Sequence, residues 1–126
     1  MSRIKDKNTK PEILVRKFLF SQGFRFRLHR KDLPGKPDIV LPKLKTAIFI
    51  NGCFWHGHKD CPYAKLPDTN SDFWTSKISG NIERDRLVRE QLSQLGWRVM
   101  DIWQCELKPK TKDATLNHLI ASLRNE

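Results

Sequence analysis

Residues 46 to 50, Thr-Ala-Ile-Phe-Ile, form a continuous apolar run of strand length in a chain of which 30% of the residues are charged. A strand that is apolar in both directions has to be covered on both faces, so it reads as a central strand of a sheet. The rest of the chain supplies the cover. Residues 9 to 23 predict a first helix: Thr9 and Glu12 have capping-box spacing, Pro11 sits in the first turn, Leu14, Val15, Phe18 and Leu19 make an apolar stripe, and Gly23 ends it. Phe24 to Leu28 alternates with period two and predicts a strand. A turn with two prolines and a glycine leads to a short strand at Asp38 to Leu41, and Pro42 to Lys45 turns the chain again.

After the central run comes a stretch dense in Cys, His and aromatic residues, then a loop from Pro62 to Asn70. Ser71 or Asp72 caps a long helix that reaches about Leu95, with Gly96 just past its end. Trp97 to Trp103 predicts a further strand and Asp113 to Asn125 a closing helix. The order α-β-β-β-α-β-α predicts an α/β core, a mixed sheet with helices on its faces, in one domain spanning 1–126.

A chain of 126 residues builds a core without disulfide stapling, and three cysteines, one of them remote, do not make a disulfide framework. They leave metal binding or buried thiols. Met1 to Lys10 is polar and no run of about 18 apolar residues occurs, so a cytoplasmic protein is expected. The balance of 24 Lys plus Arg against 14 Asp plus Glu gives a net charge of +10. That excess points to a polyanion, nucleic acid before a membrane surface, because no basic helix here has a clean apolar face.

The candidate chemistry lies around the central strand. Asp38 opens a strand beside a turn; it is either turn chemistry or a carboxylate that holds Mg²⁺ against a phosphate, as a nuclease requires. Cys53, His58 and Cys61 are spaced C-x4-H-x2-C, and Cys105 completes a closed four-ligand zinc site if its strand pairs with residues 46–50. The competing reading is a set of unrelated buried thiols. His56 is an alternative zinc ligand; left out of the metal site, it is a candidate general base. Phe54 and Trp55 are either a core pair or, pushed outward at the strand end, aromatics that enter DNA, with Trp74 as a third. Lys77, Asn81 and Arg84 share one face of the long helix, a face that is either solvated or set against a groove.

Four segments, LPGKPDIVLP, FINGCFWHGHKDC, FWTSKISGNIERDR and LGWRVMDIWQCEL, together resemble the very short patch repair endonucleases of the PD-(D/E)xK nuclease superfamily, in order and over nearly the whole chain. The resemblance implies a restriction-endonuclease-like fold. It implies a monomeric enzyme that nicks duplex DNA on the 5′ side of the T in a T:G mismatch, the product of 5-methylcytosine deamination. A functional link to a DNA cytosine methyltransferase and to mismatch-repair proteins goes with that activity. By position, Asp38 and the backbone carbonyl of Ile50 match the Mg²⁺ ligands, His56 the catalytic histidine and Glu12 an acidic residue that assists it. Cys53, His58, Cys61 and Cys105 match the structural zinc site. Phe54, Trp55 and Trp74 match the intercalating aromatics, and Lys77 and Asn81 match residues near the mismatched pair. The chain departs from the pattern at Asn51, where the family has a second histidine, at Ile50, where it has threonine, and by one extra residue between His58 and Cys61. Two other classes compete: a non-catalytic zinc module that binds DNA, which has no use for Asp38, and a restriction-type nuclease that cuts or nicks without a mismatch.

Overall fold

The structure, a computed structural model, describes residues 10–28, 30–59 and 61–124. Its elements run in the expected order: helix α1 (Lys10–Ser21), strands β1 (Arg27–Leu28), β2 (Ile39–Leu41) and β3 (Thr46–Asn51), helix α2 (Ser71–Gln94), strand β4 (Arg98–Trp103) and helix α3 (Lys112–Arg124). The strands form one sheet in the order β1-β2-β3-β4. The first two pairings are antiparallel and β3 runs parallel to β4, so the sheet is mixed and the apolar run lies inside it. Among the described residues, no helix is long and apolar enough to cross a membrane.

Alternation along β3 sends Ile48 and Ile50 to one face and Ala47 and Phe49 to the other. The first face is covered by α1 and α3, where Val15, Leu19, Leu116, Leu119 and Leu123 pack on Ile39, Leu41 and Ile48. Eleven buried residues make that cluster, against four on the α2 face, Leu33, Val40, Ala47 and Leu92. Each buried aliphatic side chain contributes about 1.5–3 kcal/mol, so the α1/α3 side carries most of the stability. The α2 side, apolar only at one end, has room for polar groups at the other.

Helices α1 and α2 end alike. Phe24 N–H donates to the Leu19 carbonyl and Gly23 N–H to that of Phe20; Trp97 N–H donates to Leu92 and Gly96 N–H to Ser93. Both glycines have positive φ, as this two-bond termination needs. The start of α2 differs from expectation. Ser71 and Asp72 lie in its first turn, and the residue before them, Asn70, takes the N-cap position at φ +57° without a side-chain cap bond. Asparagine tolerates that left-handed geometry, and Asp72 acts instead on the helix dipole. The capping box expected of Thr9 lies outside the described residues.

Strand β1 is also shorter than the alternation in 24–28 predicts. Its partner sets the limit: Arg27 pairs with Val40, so Arg25 falls opposite Pro42, which has no N–H and opens a 3-10 turn at Pro42–Leu44. Phe24 and Phe26 pack on the larger cluster instead of extending the ladder.

Candidate active site and metal centre

Everything of chemical interest gathers where β3 ends. Asp38 N–H donates to the Ile48 carbonyl at 3.1 Å, and the Asp38 Oδ2 accepts the Ile50 N–H at 2.7 Å. The carboxylate thus reaches across to the neighbouring strand, which a local turn bond would not do. It lies half-buried beside Ile50.

Beyond Asn51 the chain coils tightly. His56 N–H donates to Gly52, Gly57 N–H to Phe54 and His58 N–H to Cys53, at 3.0–3.3 Å. Successive side chains of this coil therefore leave in different directions. Gly57 makes the coil possible: its φ is +57°, and a Cβ there would stand 2.7 Å from Ile82 Cδ1 and 2.8 Å from Ile78 Cγ2. Only glycine takes both the conformation and the close approach to α2.

Cys53 and His58 turn inward and meet Cys61 and Cys105. The four ligand atoms lie within 4.8 Å of one another. The parallel pairing of β3 with β4 brings this about, because Asn51 lies opposite Trp103 and Cys105 follows in a 3-10 turn at Gln104–Leu107. The Cys105 N–H donates to Cys53 Sγ at 3.4 Å, and Cys105 Sγ lies 3.4 Å from His58 Nδ1. The His58 ring is stacked on Trp103, centroids 4.0 Å apart and planes 5° from parallel, which fixes the plane of the ring.

Three sulfurs and one imidazole nitrogen in such proximity can hold a metal ion. A tetrahedral site with metal–sulfur bonds of about 2.3 Å has edges of about 3.8 Å, so the set closes on an ion with small movements. The thiols feel each other's company. Burial and the neighbouring Cys53 and Cys61 thiols push the Cys105 thiol up to about 12. Burial also raises Cys53. At Cys61 burial acts upward too, but the Tyr63 backbone N–H and the other two thiols bring it below its ordinary value. Separate buried thiols would not converge in this way with an imidazole.

His56 points away from the cluster. Its Nδ1 lies 2.6 Å from Asp85 Oδ2 on α2, both side chains about 30% exposed (32% and 29%). A carboxylate on one ring nitrogen fixes ring orientation and leaves Nε2 to face outward. Asp85 is a partner of His56 that the sequence reading does not assign. One signal was available, since Asn81, Asp85, Val88, Arg89 and Leu92 recur at helical spacing on the side of α2 that meets the sheet. Glu12, expected to assist His56, is buried at 3% exposure in the first turn of α1, next to Val15 and Leu19 of the opposite cluster; the acid within bonding distance of His56 is Asp85.

Phe54, Trp55 and Trp74 come together. Their centroids are 5.1, 5.3 and 5.8 Å apart in edge-on contacts, and all three are half-buried. Phe73, 59% exposed, extends the group by an edge contact with Trp74. The aromatics are thus a surface cluster and not a core pair. Lys77 is exposed on α2 close by in sequence. Asn81 is spoken for: its Nδ2 donates to the Trp55 carbonyl at 2.8 Å and its Oδ1 accepts from Arg84 at 3.0 Å. It holds the aromatic coil against α2.

Known proteins share much of this sequence. Residues 1–62 match the family model described as DNA mismatch endonuclease Vsr. The type II nicking enzyme V.NmeAIP of Neisseria meningitidis is 49% identical over 126 residues, covering 99% of this chain and 89% of the relative. The type II nicking enzyme V.XorIIP of Xanthomonas oryzae is 49% identical over 125 residues, 99% of this chain and 87% of the relative. The DNA mismatch endonuclease Vsr of Escherichia coli is 41% identical over 112 residues, 89% of this chain and 71% of the relative. Identity at this level over most of both chains is common descent, and the mixed α/β sheet is the restriction-endonuclease-like one that goes with it: the chain belongs to the DNA mismatch endonuclease Vsr family of DNA endonucleases.

Proposed function

We propose that this protein nicks duplex DNA on the 5′ side of the T in a T:G mismatch, as a monomer, in the repair of deaminated 5-methylcytosine. The observation that carries the reading is the coil at 52–58, which holds a metal-site pair, a histidine on a carboxylate and a paired aromatic wedge within seven residues. Such a coil ties the position of the wedge to that of the reacting phosphate.

His56 takes the proton of the attacking water through the ring nitrogen opposite Asp85. Asp85 holds the imidazole and stabilises it once protonated. The Asp38 carboxylate and the Ile50 carbonyl are hard oxygen donors suited to Mg²⁺, which needs only one or two protein ligands in a phosphate site. Mg²⁺ bound there supplies charge stabilisation of the phosphate oxygens and the leaving group. Cys53, His58, Cys61 and Cys105 take Zn²⁺; with four protein ligands the site is closed to substrate and structural.

Phe54, Trp55 and Trp74 enter the stack beside the mismatch. Unstacking a step takes a few kcal/mol, and a wobble pair gives way more readily than a matched one. Lys77 supplies a polar contact near the pair, and Asn81 acts there through its hold on Trp55 and Arg84. A second reading, nicking without a mismatch beside a restriction–methylation system, is favoured by relatives that bear the name type II nicking enzyme. Otherwise identical duplexes with T:G, T:A or C:G at one position, incubated with Mg²⁺ or EDTA, separate the two. Mg²⁺-dependent nicking of T:G alone is expected; equal rates on all three leave the second reading.

A further inference from the structure

The sheet face that meets α2 changes character along the strands. At one end Val40, Ala47, Phe49 and Val99 pack against Val88 and Leu92. At the other the same face carries Asn51 on β3 and Asp101 on β4, since Phe49 lies opposite Asp101 and Asn51 opposite Trp103 in the register. Aspartate is a poor strand former, and its carboxylate stands here between Val99 and Trp103. It is paired from two elements. Arg89 of α2 grips it with a fork, Nε to Oδ2 at 2.9 Å and Nη2 to Oδ1. Asn51 Nδ2 donates to Oδ1 at 2.9 Å. The third arm of Arg89, Nη1, donates to the main-chain carbonyl of Asp85 at 2.9 Å, and the guanidinium lies 5.4 Å over the Phe49 ring.

We infer that Asp101 and Arg89 are positioning residues of the nicking reaction: acting through Asn51 and Asp85, they clamp the Asp38–Ile50 end of the sheet to the helix that holds His56. This rests on the proposed placement of the reaction at Asp38 and His56. Asn51 directly follows Ile50, whose N–H holds Asp38, and is itself buried at 3% exposure. With Nδ2 given to Asp101, the orientation of its amide is set and Oδ1 is turned away from Asp101. On the other side, the Asp85 backbone is fixed by the same guanidinium that grips Asp101. The metal-side and base-side halves of the site are thereby held in register by one ion pair.

Stability does not explain the pair. Its two side chains are 27% and 28% exposed, and ion pairs so open to water stabilise little. A β-branched residue at 101 would suit the strand better.

The test is single-turnover nicking at saturating enzyme, on whichever of the T:G or matched duplexes the native protein nicks faster, so that a failure of mismatch selectivity leaves the comparison intact. Native protein, Asp101→Val, Arg89→Met, Asn51→Ala and the Asp101→Val/Asn51→Ala double variant are compared. Asp101→Val is expected to slow nicking about tenfold or more, the scale of a small misplacement of reacting groups. Duplex affinity and metal content should stay at native values. Arg89→Met should slow nicking at least as much. Asp101→Val should add less than about twofold once Asn51 is alanine. A native rate for Asp101→Val overturns the inference, as does a rate loss accompanied by a loss of duplex affinity or of bound metal. Losses that simply multiply in the double variant also overturn it, because Asp101 then acts elsewhere than through Asn51.

Discussion

Asp85 lies in a run of alternating charge, Glu-Arg-Asp-Arg, at residues 83 to 86. Two of its neighbours do what such runs usually do: Arg86 pairs with Glu83 and Glu90 on the exposed face of α2. Asp85, one residue earlier on the helical wheel, faces the sheet and meets His56. Exchanging its carboxylate for an amide keeps the size and removes the charge that stabilises a protonated imidazole. Asp85→Asn should slow nicking by about 10²-fold or more, with duplex affinity and metal content at native levels; a variant that nicks normally would show that the pair has no part in the reaction. Legibility follows from the same contrast. His58 was separable from His56 because two residues between it and Cys61 is a local metal spacing, and Asp38 stood out because it opens a strand next to the apolar run. Asp85 and Asp101 gain their meaning from partners 29 and 50 positions away, and no local pattern marks such pairings. Asn81 is legible from one side only: its place on the helix face suggests a groove contact, and its bonds to the Trp55 carbonyl and to Arg84 emerge from the fold.

At the level of elements, each helix and strand is legible in apolar patterning or in the turns that bound it, and the corrections fall at their ends. A strand end depends on its partner, as β1 depends on where Pro42 interrupts β2, and a helix start depends on which residue adopts the capping conformation. The coil after β3 had no periodicity at all. Its cysteines and histidines were legible, its path was not, because the path is set by Gly57 against Ile78 and Ile82. Gly57→Ala tests that element directly. The methyl group would meet two isoleucines at under 3 Å in a backbone conformation unfavourable to alanine. A loss of about 1–3 kcal/mol from the strained conformation is expected, seen as a lower melting temperature. Metal affinity and nicking should weaken together, since His58 and His56 flank the residue. Trimming the clash with Ile82→Ala should return only part of the loss, because the positive φ remains; full recovery would show that space alone selects glycine here.

Across the whole molecule two long-range agents act, the Cys53–His58–Cys61–Cys105 cluster and the charge. The cluster joins the end of β3 to the turn after β4, residues 52 apart in the chain. Metal-binding energy at such a cluster is folding energy. Cys61→Ser should therefore lower the melting temperature of the entire domain, and protein purified without added zinc should contain one zinc ion per chain. The direction with pH follows from the thiols. Cys105 is pushed up to about 12 and Cys53 is raised, so in the metal-free fold both hold their protons and an entering ion has to displace them. Apparent zinc affinity should fall as pH is lowered from about 8 to about 6, with proton release on loading; an affinity independent of pH would exclude thiolate ligands. The charge acts on the substrate. A net charge of +10 on 126 residues raises the local concentration of duplex DNA, and each phosphate neutralised releases counterions. With about six phosphate contacts, the plot of log affinity against log salt should have a slope near −5. Entry of Phe54, Trp55 and Trp74 into the stack, as proposed, would add a term that salt barely touches, since unstacking and ring contact involve no counterions. A T:G duplex and a matched duplex should therefore give parallel lines, offset by the discrimination energy. Trp55→Ala should narrow the offset and leave the slope unchanged, while Lys77→Ala should reduce the slope by about one contact's worth. Fluorescence anisotropy on both duplexes across a salt series measures all of these at once. A flat response would mean that the basic surface serves solubility alone, and lines that converge with salt would mean that the mismatch is read through charge and not through the wedge.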